Sequence, residues 1–328
     1  MAQPTVVVSF KGNRTLRLAV EEVLADHCLI VYLMDLPPKG RSSALESADA
    51  LLSNNLAVEL DPDELGRPRN AKLIQLLTAG VDHAPLSKLP PGVPVAYLPG
   101  AFAEPMAEHA VAMVLAAAKR LLIEDRNMRK GEFNQFVPNR LLRGGTCCII
   151  GFGGAGQATA RLLRCLGMKI CAVNRSGQTD ESVDFVGTVR DLERILKGAD
   201  VAVLTLPLTR FTQGLIGSRE LSWMKHDAIL VNISRGEIID EGALYAHLTA
   251  QSNFTACIES WWIEPVRHGE FRTNYPFLEL PNVIATPHNS SSARGWQARA
   301  ARRGTENVHR VLTGGSPRFI VTEDLYFR

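Results

Sequence analysis

Cys147-Cys148-Ile149-Ile150-Gly151-Phe152-Gly153-Gly154-Ala155-Gly156 is the stretch whose reading decides the fold. Its first four residues are apolar and read as a short buried strand. They run directly into G-x-G-x-x-G, and Gln157 to Leu163 follows with helical spacing. Strand, glycine turn and helix in that order is the context in which this pattern marks a dinucleotide site. Gly151 allows the tight turn, Gly153 lets the backbone approach a pyrophosphate, and Gly156 lets the helix pack closely on the strand. The helix N-terminus offers free N–H groups and a positive dipole end to the anion.

The next strand reads Met168 to Val173. At its end, about 20 residues beyond the glycines, such a fold expects an acid that hydrogen-bonds the ribose 2′-hydroxyl. Asn174-Arg175-Ser176 stands there instead. A guanidinium pairs bidentately with a phosphate dianion, and neither neighbour repels one. The tip therefore predicts NADPH over NADH, with NAD as the other possibility.

Further βα units follow at Asp200–Leu204, Ala228–Ile233, Phe254–Ile258 and Val283–Thr286, at least six strands with the first two. Ligands on such a sheet sit at the strand C-terminal ends. Arg235 follows one of these strands, Glu264 stands in Trp261-Trp262-Ile263-Glu264-Pro265, and His288 follows Thr286-Pro287. Singly, each has a structural explanation in a turn or loop. Together they suit hydride transfer: arginine clamps a carboxylate and polarises the adjacent carbonyl, histidine moves the hydroxyl proton, and a carboxylate holds its tautomer.

Residues 1–103 alternate strand-like runs (Val6-Val7-Val8, Leu29 to Met34, Ala50-Leu51-Leu52, Val93 to Tyr97) with helical stretches, which implies a second parallel sheet. Ala71 to Leu77 has mixed character, and Asn54-Asn55 reads as a turn. Thr78-Ala79-Gly80-Val81-Asp82 is a small-residue loop whose N–H groups suit a carboxylate. One long helix is expected over 104–124, with Pro105 in its first turn and His109 as a structural hydrogen-bonding residue. The polar 125–145 segment carries Phe133, Phe136 and Pro138, an arm for a partner subunit or a cover for the protein's own core.

With 328 residues, two cores are expected. A net charge of +2 is too small to argue for nucleic acid or a membrane surface. The six cysteines show no C-x-x-C and read as buried free thiols of a reducing compartment. No leader-like stretch precedes Thr5 to Phe10, and the apolar run from His109 to Ile123 is too short to span a bilayer. A soluble cytoplasmic protein is expected, with no metal.

Gly151-x-Gly153-x-x-Gly156, Leu206-Pro207-Leu208-Thr209 with Thr212, Asn232-Ile233-Ser234-Arg235-Gly236 before Asp240-Glu241, Glu264-Pro265 and Pro287-His288 resemble the D-isomer-specific 2-hydroxyacid dehydrogenases. Thr78 to Asp82 and Ala107-Glu108-His109 fit the same pattern, so the resemblance runs from about residue 72 to 313. It implies α/β architecture with two doubly wound parallel-sheet domains: a Rossmann domain (104–290) inserted in a flavodoxin-like substrate domain (1–103 and 291–328), with a cleft that closes and a homodimer. It implies Arg235 on a 2-oxo acid, Glu264 supporting His288, and His288 as acid/base. Ala79, Gly80 and Val81 would hold the substrate carboxylate. Gly154 and Ala155 would lie on the pyrophosphate, with Leu206, Pro207, Thr212, Ile233, Ser234 and Glu259 completing the cofactor site.

Two departures mark this chain. Glutamate stands at 259 where the family usually has an aspartate near the nicotinamide carboxamide, and Trp261-Trp262 beside it reads as an altered pocket wall or as packing between domains. The Asn174-Arg175-Ser176 tip resembles the NADP-preferring glyoxylate and hydroxypyruvate reductases. Two other readings stay open: a dehydrogenase of another small anion such as phosphite or formate, and a dinucleotide-sensing protein like the corepressors of this fold. Formate oxidation needs no proton relay, so Glu264 with His288 argues against it. Trp296 reads as core or domain contact.

Overall fold

The computed structural model describes residues 3–322. The chain divides into two compact units, Met1–Phe102 with Ser292–Arg328, and Ala103–Ser291.

In the first unit, β1 (Thr5–Val8), β2 (Leu29–Tyr32), β3 (Ala50–Ser53), β4 (Leu73–Leu76) and β5 (Val95–Ala96) form one parallel sheet in the order β2-β1-β3-β4-β5. Helices α1 (Arg14–Leu24), α2 (Pro38–Glu46) and α3 (Leu56–Glu59) connect its strands. Successive strand residues point to opposite faces, and both faces are covered. Val6, Val8, Ala50 and Leu52 pack with Ala300, Ala301 and Val308 of the C-terminal helix Trp296–Leu312. Val7, Leu51 and Ile74 pack on the other side with Leu33, Leu45 and Leu56. The segment 71–77, ambiguous in sequence, is a strand because every residue from Leu73 to Leu76 is buried. Beyond the C-terminal helix, Ile320 bridges Ala96 in antiparallel fashion and closes one sheet edge.

The second unit begins with α4 (Ala103–Ala118) and α5 (Leu121–Arg129). The single helix expected over 104–124 is thus two, because Arg120 adopts a left-handed φ of 55° between them. A seven-stranded parallel sheet follows, built from β6 (Thr146–Ile150), β7 (Lys169–Val173), β8 (Phe185–Gly187), β9 (Val201–Leu204), β10 (Ile229–Asn232), β11 (Thr255–Ile258) and β12 (Val283–Ala285). The interleaved helices are α6 (Gly154–Cys165), α7 (Leu192–Gly198), α8 (Ser218–Trp223), α9 (Glu241–Ala250) and α10 (Pro265–His268). The order β12-β11-β10-β9-β6-β7-β8 reverses direction between β6 and β9. That switch point is where a doubly wound sheet opens a crevice at its strand C-termini. The short strand β8 escapes the sequence pattern, since three residues carry too little periodicity to register.

Cys147 and Ile149 face one core, Cys148 and Ile150 the other. Burial pushes the Cys147, Cys148 and Cys257 thiols up, so these are packing residues rather than thiolates. The expectation that the cysteines are buried fails for Cys165, which is exposed, and in part for Cys171. No helix of the described residues is long and apolar enough to cross a membrane.

Candidate active site

The glycine turn is shaped by what stands against it. Gly151 has a φ of +97°, and a Cβ there would lie 2.6 Å from the backbone nitrogen of Leu206, just past β9. A Cβ on Gly156 would come within 2.8 Å of Thr205 Oγ1 and closer still to the Gly151 carbonyl oxygen. The Thr205 hydroxyl donates to that same carbonyl, tying the turn to β9. Gly153 is different: among the described residues nothing lies within 4 Å of its would-be Cβ. It caps the 12-residue α6 without a side-chain cap, and Gly154 and Ala155 form the first turn. Open space before uncapped N–H groups fits a dinucleotide pyrophosphate. Nearby in the motif set, the Ser234 hydroxyl is buried without a hydrogen-bond partner, a group that a bound ligand would satisfy. Thr212 Oγ1 donates to Pro207 O (2.7 Å) and accepts from Thr209 N–H (2.8 Å), which fixes the loop after Leu206.

Past the end of β7, Asn174 organises a turn: its Oδ1 accepts from Gly177 N–H at 2.7 Å and its Nδ2 donates to Gln178 O at 2.7 Å. Arg175 and Ser176 are held exposed at the crest. A cavity of about 370 Å³ lies beside this turn, lined by Phe152, Gln157, Asn174, Gln178, Thr179, Asp180 and Glu181. The strand tip itself carries no acid, yet the chain curls back and brings Asp180 and Glu181 to the cavity. Glu181 is paired with Arg161 of α6 at 2.6 Å.

Arg235, Glu264 and His288 lie on loops following β10, β11 and β12. Asn232, buried at the end of β10, donates from Nδ2 to Arg235 O (2.8 Å) and accepts Ser234 N–H (3.0 Å), so it sets the turn that presents Arg235. Arg235 is half-buried, with Nη1 on Ser234 O at 2.7 Å. Ile233, between them, is 1% exposed and belongs to the core. His288 takes a left-handed φ of 49°, uncommon outside glycine, and its N–H is fixed on Glu259 O at 3.0 Å. Its Nδ1 stands 2.9 and 2.8 Å from the two Glu264 oxygens. Burial alone would raise the Glu264 carboxyl. The His288 hydrogen bond and charge, the Trp261 N–H at 2.7 Å and the Arg235 charge outweigh it and hold the group below the ordinary carboxylate range. An ionised carboxylate only accepts, so Nδ1 carries the proton and Nε2 is left for a substrate oxygen.

Glu259 is fully buried, its Oε1 accepting Ser290 N–H at 2.7 Å and its Oε2 facing Ser260 Oγ at 3.3 Å. Its carboxylate on Ser290 N–H and its carbonyl oxygen on His288 N–H thus brace the His288 loop from inside. The two tryptophans are packing residues of this one unit: Trp261 Nε1 donates to Thr286 O (2.9 Å), and Trp262 donates to Ile239 O (2.7 Å) and stacks on Phe277. His109 meets Thr286 Oγ1 at 3.2 Å, the structural contact expected of it. In the other unit, Ala79 and Gly80 are partly exposed and Val81 is buried, with Thr78 Oγ1 donating to Gly80 O at 2.8 Å. Trp296 there donates from Nε1 to Ala101 O at 2.6 Å.

Comparison with known proteins places this geometry among relatives. Residues 111–290 match the family model described as D-isomer specific 2-hydroxyacid dehydrogenase, NAD binding domain. A glyoxylate reductase of Aeropyrum pernix is 31% identical over 294 residues, covering 86% of this chain and 85% of the relative. A hydroxypyruvate reductase of Thermotoga maritima is 30% identical, covering 89% of this chain and 91% of its own. A D-isomer specific 2-hydroxyacid dehydrogenase family protein of Aeromonas salmonicida superposes with a TM-score of 0.84 at 25% identity, over 98% of this chain and 99% of that one.

Proposed function

This chain belongs to the D-isomer-specific 2-hydroxyacid dehydrogenase family, and we propose that within it the protein is an NADPH-preferring reductase of small 2-oxo acids, glyoxylate and hydroxypyruvate among them. The observation that carries this reading is the His288–Glu264 pair at 2.8 Å, a proton-transfer device at the same strand C-terminal edge of the sheet as the dinucleotide cradle. The bound nicotinamide supplies the hydride. Arg235 binds the substrate carboxylate and polarises the neighbouring carbonyl. His288 Nε2 delivers the proton to the carbonyl oxygen as the hydride reaches its carbon, while Glu264 stabilises the imidazolium form that gives that proton. The 2-oxo acid becomes a D-2-hydroxy acid. Ala79, Gly80 and Val81 are assigned to the substrate carboxylate through their N–H groups.

The NADPH preference is supported by the exposed Arg175 at the crest of the Asn174 turn, and by Arg161, which already neutralises Glu181. Asp180, a carboxylate lining the same cavity, favours NADH and makes that the second reading. Initial rates with both cofactors and a panel of 2-oxo acids decide between them. NADPH is expected to exceed NADH in kcat/KM by ~10-fold or more, a charge-assisted hydrogen bond being worth about 1.5–3 kcal/mol. Arg175→Ala should abolish that margin. Faster turnover with NADH in the wild type would assign Asp180 the ribose instead.

A cytoplasmic homodimer is part of the same proposal. Leu121, Met128, Phe133, Phe136 and Leu141 of one segment are 55–89% exposed, apolar side chains that a partner subunit would cover. Light scattering at about twice the 35.9 kDa chain mass is expected. Phe136→Asp with Leu141→Asp should return the monomer.

A further inference from the structure

The loops that carry Arg235 and Glu264 are fastened to each other, and one fastening is ionic. Glu237 sits two residues past Arg235 in the short 3-10 turn Gly236–Ile238, and Arg267 sits three past Glu264 in α10. Their side chains meet in a two-armed pair, Nη2 to Oε1 at 2.5 Å and Nη1 to Oε2 at 3.0 Å, with only 17% and 20% of each side chain exposed. Gly236 between them packs so closely on the Trp261–Trp262 peptide that a Cβ would lie 2.6 Å from Trp261 O. Ser260 Oγ donates to Ser234 O at 2.9 Å and Trp262 Nε1 to Ile239 O at 2.7 Å, so neutral contacts already hold the two loops together. His268 Nδ1 accepts the Glu264 N–H at 3.0 Å, so the backbone under Glu264 is set by the same short helix that presents Arg267.

We infer that Glu237 and Arg267 are positioning residues that fix the register of Arg235 against the Glu264–His288 pair. The inference rests on the reductase reading. Its physical content is a division of labour. Packing and neutral hydrogen bonds hold the loops, whereas the bidentate pair, with its fixed fork geometry, sets the last fraction of an ångström between the carboxylate clamp and the proton donor. Misplacement on that scale costs turnover and leaves the fold intact.

The test is a double-mutant cycle on the whole protein with Glu237→Gln, Arg267→Gln and both together, using glyoxylate and NADPH. Each single variant is expected to lose ~10-fold in kcat, in line with the cost of small misalignments. Cofactor KM and melting temperature should stay near wild type, and Glu237→Asp should recover part of kcat. The double variant should be no worse than the poorer single. Unchanged kcat, multiplying losses, or an equal fall in cofactor affinity and melting temperature would overturn the inference while leaving the reductase reading in place. If the wild type turns over no 2-oxo acid, the reductase reading falls, and ¹⁵N NMR of the His288 ring in the protein without cofactor judges the pair by itself. A shift of the neutral ring away from the Nδ1–H tautomer in Glu237→Gln then supports positioning, and an unchanged tautomer overturns it.

Discussion

His288→Ala is expected to lower kcat for 2-oxo-acid reduction by about a hundred- to ten-thousand-fold, the range removed with a positioned acid/base. Dinucleotide affinity should be unchanged, because the glycine turn and Leu206 follow β6 and β9, two or more strands from the β12 loop. Rates from stopped-flow NADPH oxidation, set beside a fluorescence titration of the cofactor, separate the two effects. Wild-type kcat in the variant would sink the proton-transfer assignment. The partner carboxylate adds a pH signature. Glu264 is held below the ordinary carboxylate value of 4.5, so its contribution to stability is fully present above that pH and disappears as pH falls through the lower folded-state value. The melting-temperature gap between wild type and Glu264→Gln should therefore shrink as pH falls below about 4.5.

Gly156→Ala and Gly153→Ala are both expected to weaken cofactor binding but to differ in stability, although both lie in one motif. At Gly156 a methyl group collides with the Gly151 carbonyl and with Thr205 Oγ1, neither of which is a flexible chain end, so α6 must move off the sheet. Overpacking of this kind costs about 1–3 kcal/mol, and the turn it deforms is the cradle itself, so melting temperature and NADPH binding should fall together. At Gly153 the same methyl meets no atom of the described residues. Stability should hold while NADPH binding weakens, since the methyl stands before the uncapped turn of α6. Calorimetry with cofactor titration reads both. Undiminished stability in Gly156→Ala, or undiminished affinity in Gly153→Ala, would contradict the cradle geometry.

The family, the alternating βα order and the doubly wound fold are determined by sequence, because they rest on local signals. Four apolar residues before a G-x-G-x-x-G turn specify strand, loop and helix within 20 residues. Buried parallel strands read as unbroken apolar runs wherever they lie. Arg235, Glu264 and His288 are legible for the same reason, each marking the end of such a run. Four features were decided only by the tertiary structure. The helix over 104–124 breaks at Arg120, where a single left-handed residue outweighs good local propensity. Asp180 and Glu181 reach the cavity beside Asn174 because the chain after β7 doubles back. Trp261 and Trp262 turn out to be packing residues, their indole N–H groups spent on carbonyls 25 and 23 residues away. Glu237 finds Arg267 across 30 positions of sequence. The last two are set by which strands lie side by side. Adjacency of β10, β11 and β12 brings loops together that are far apart along the chain, and no window of sequence contains both partners of such a contact.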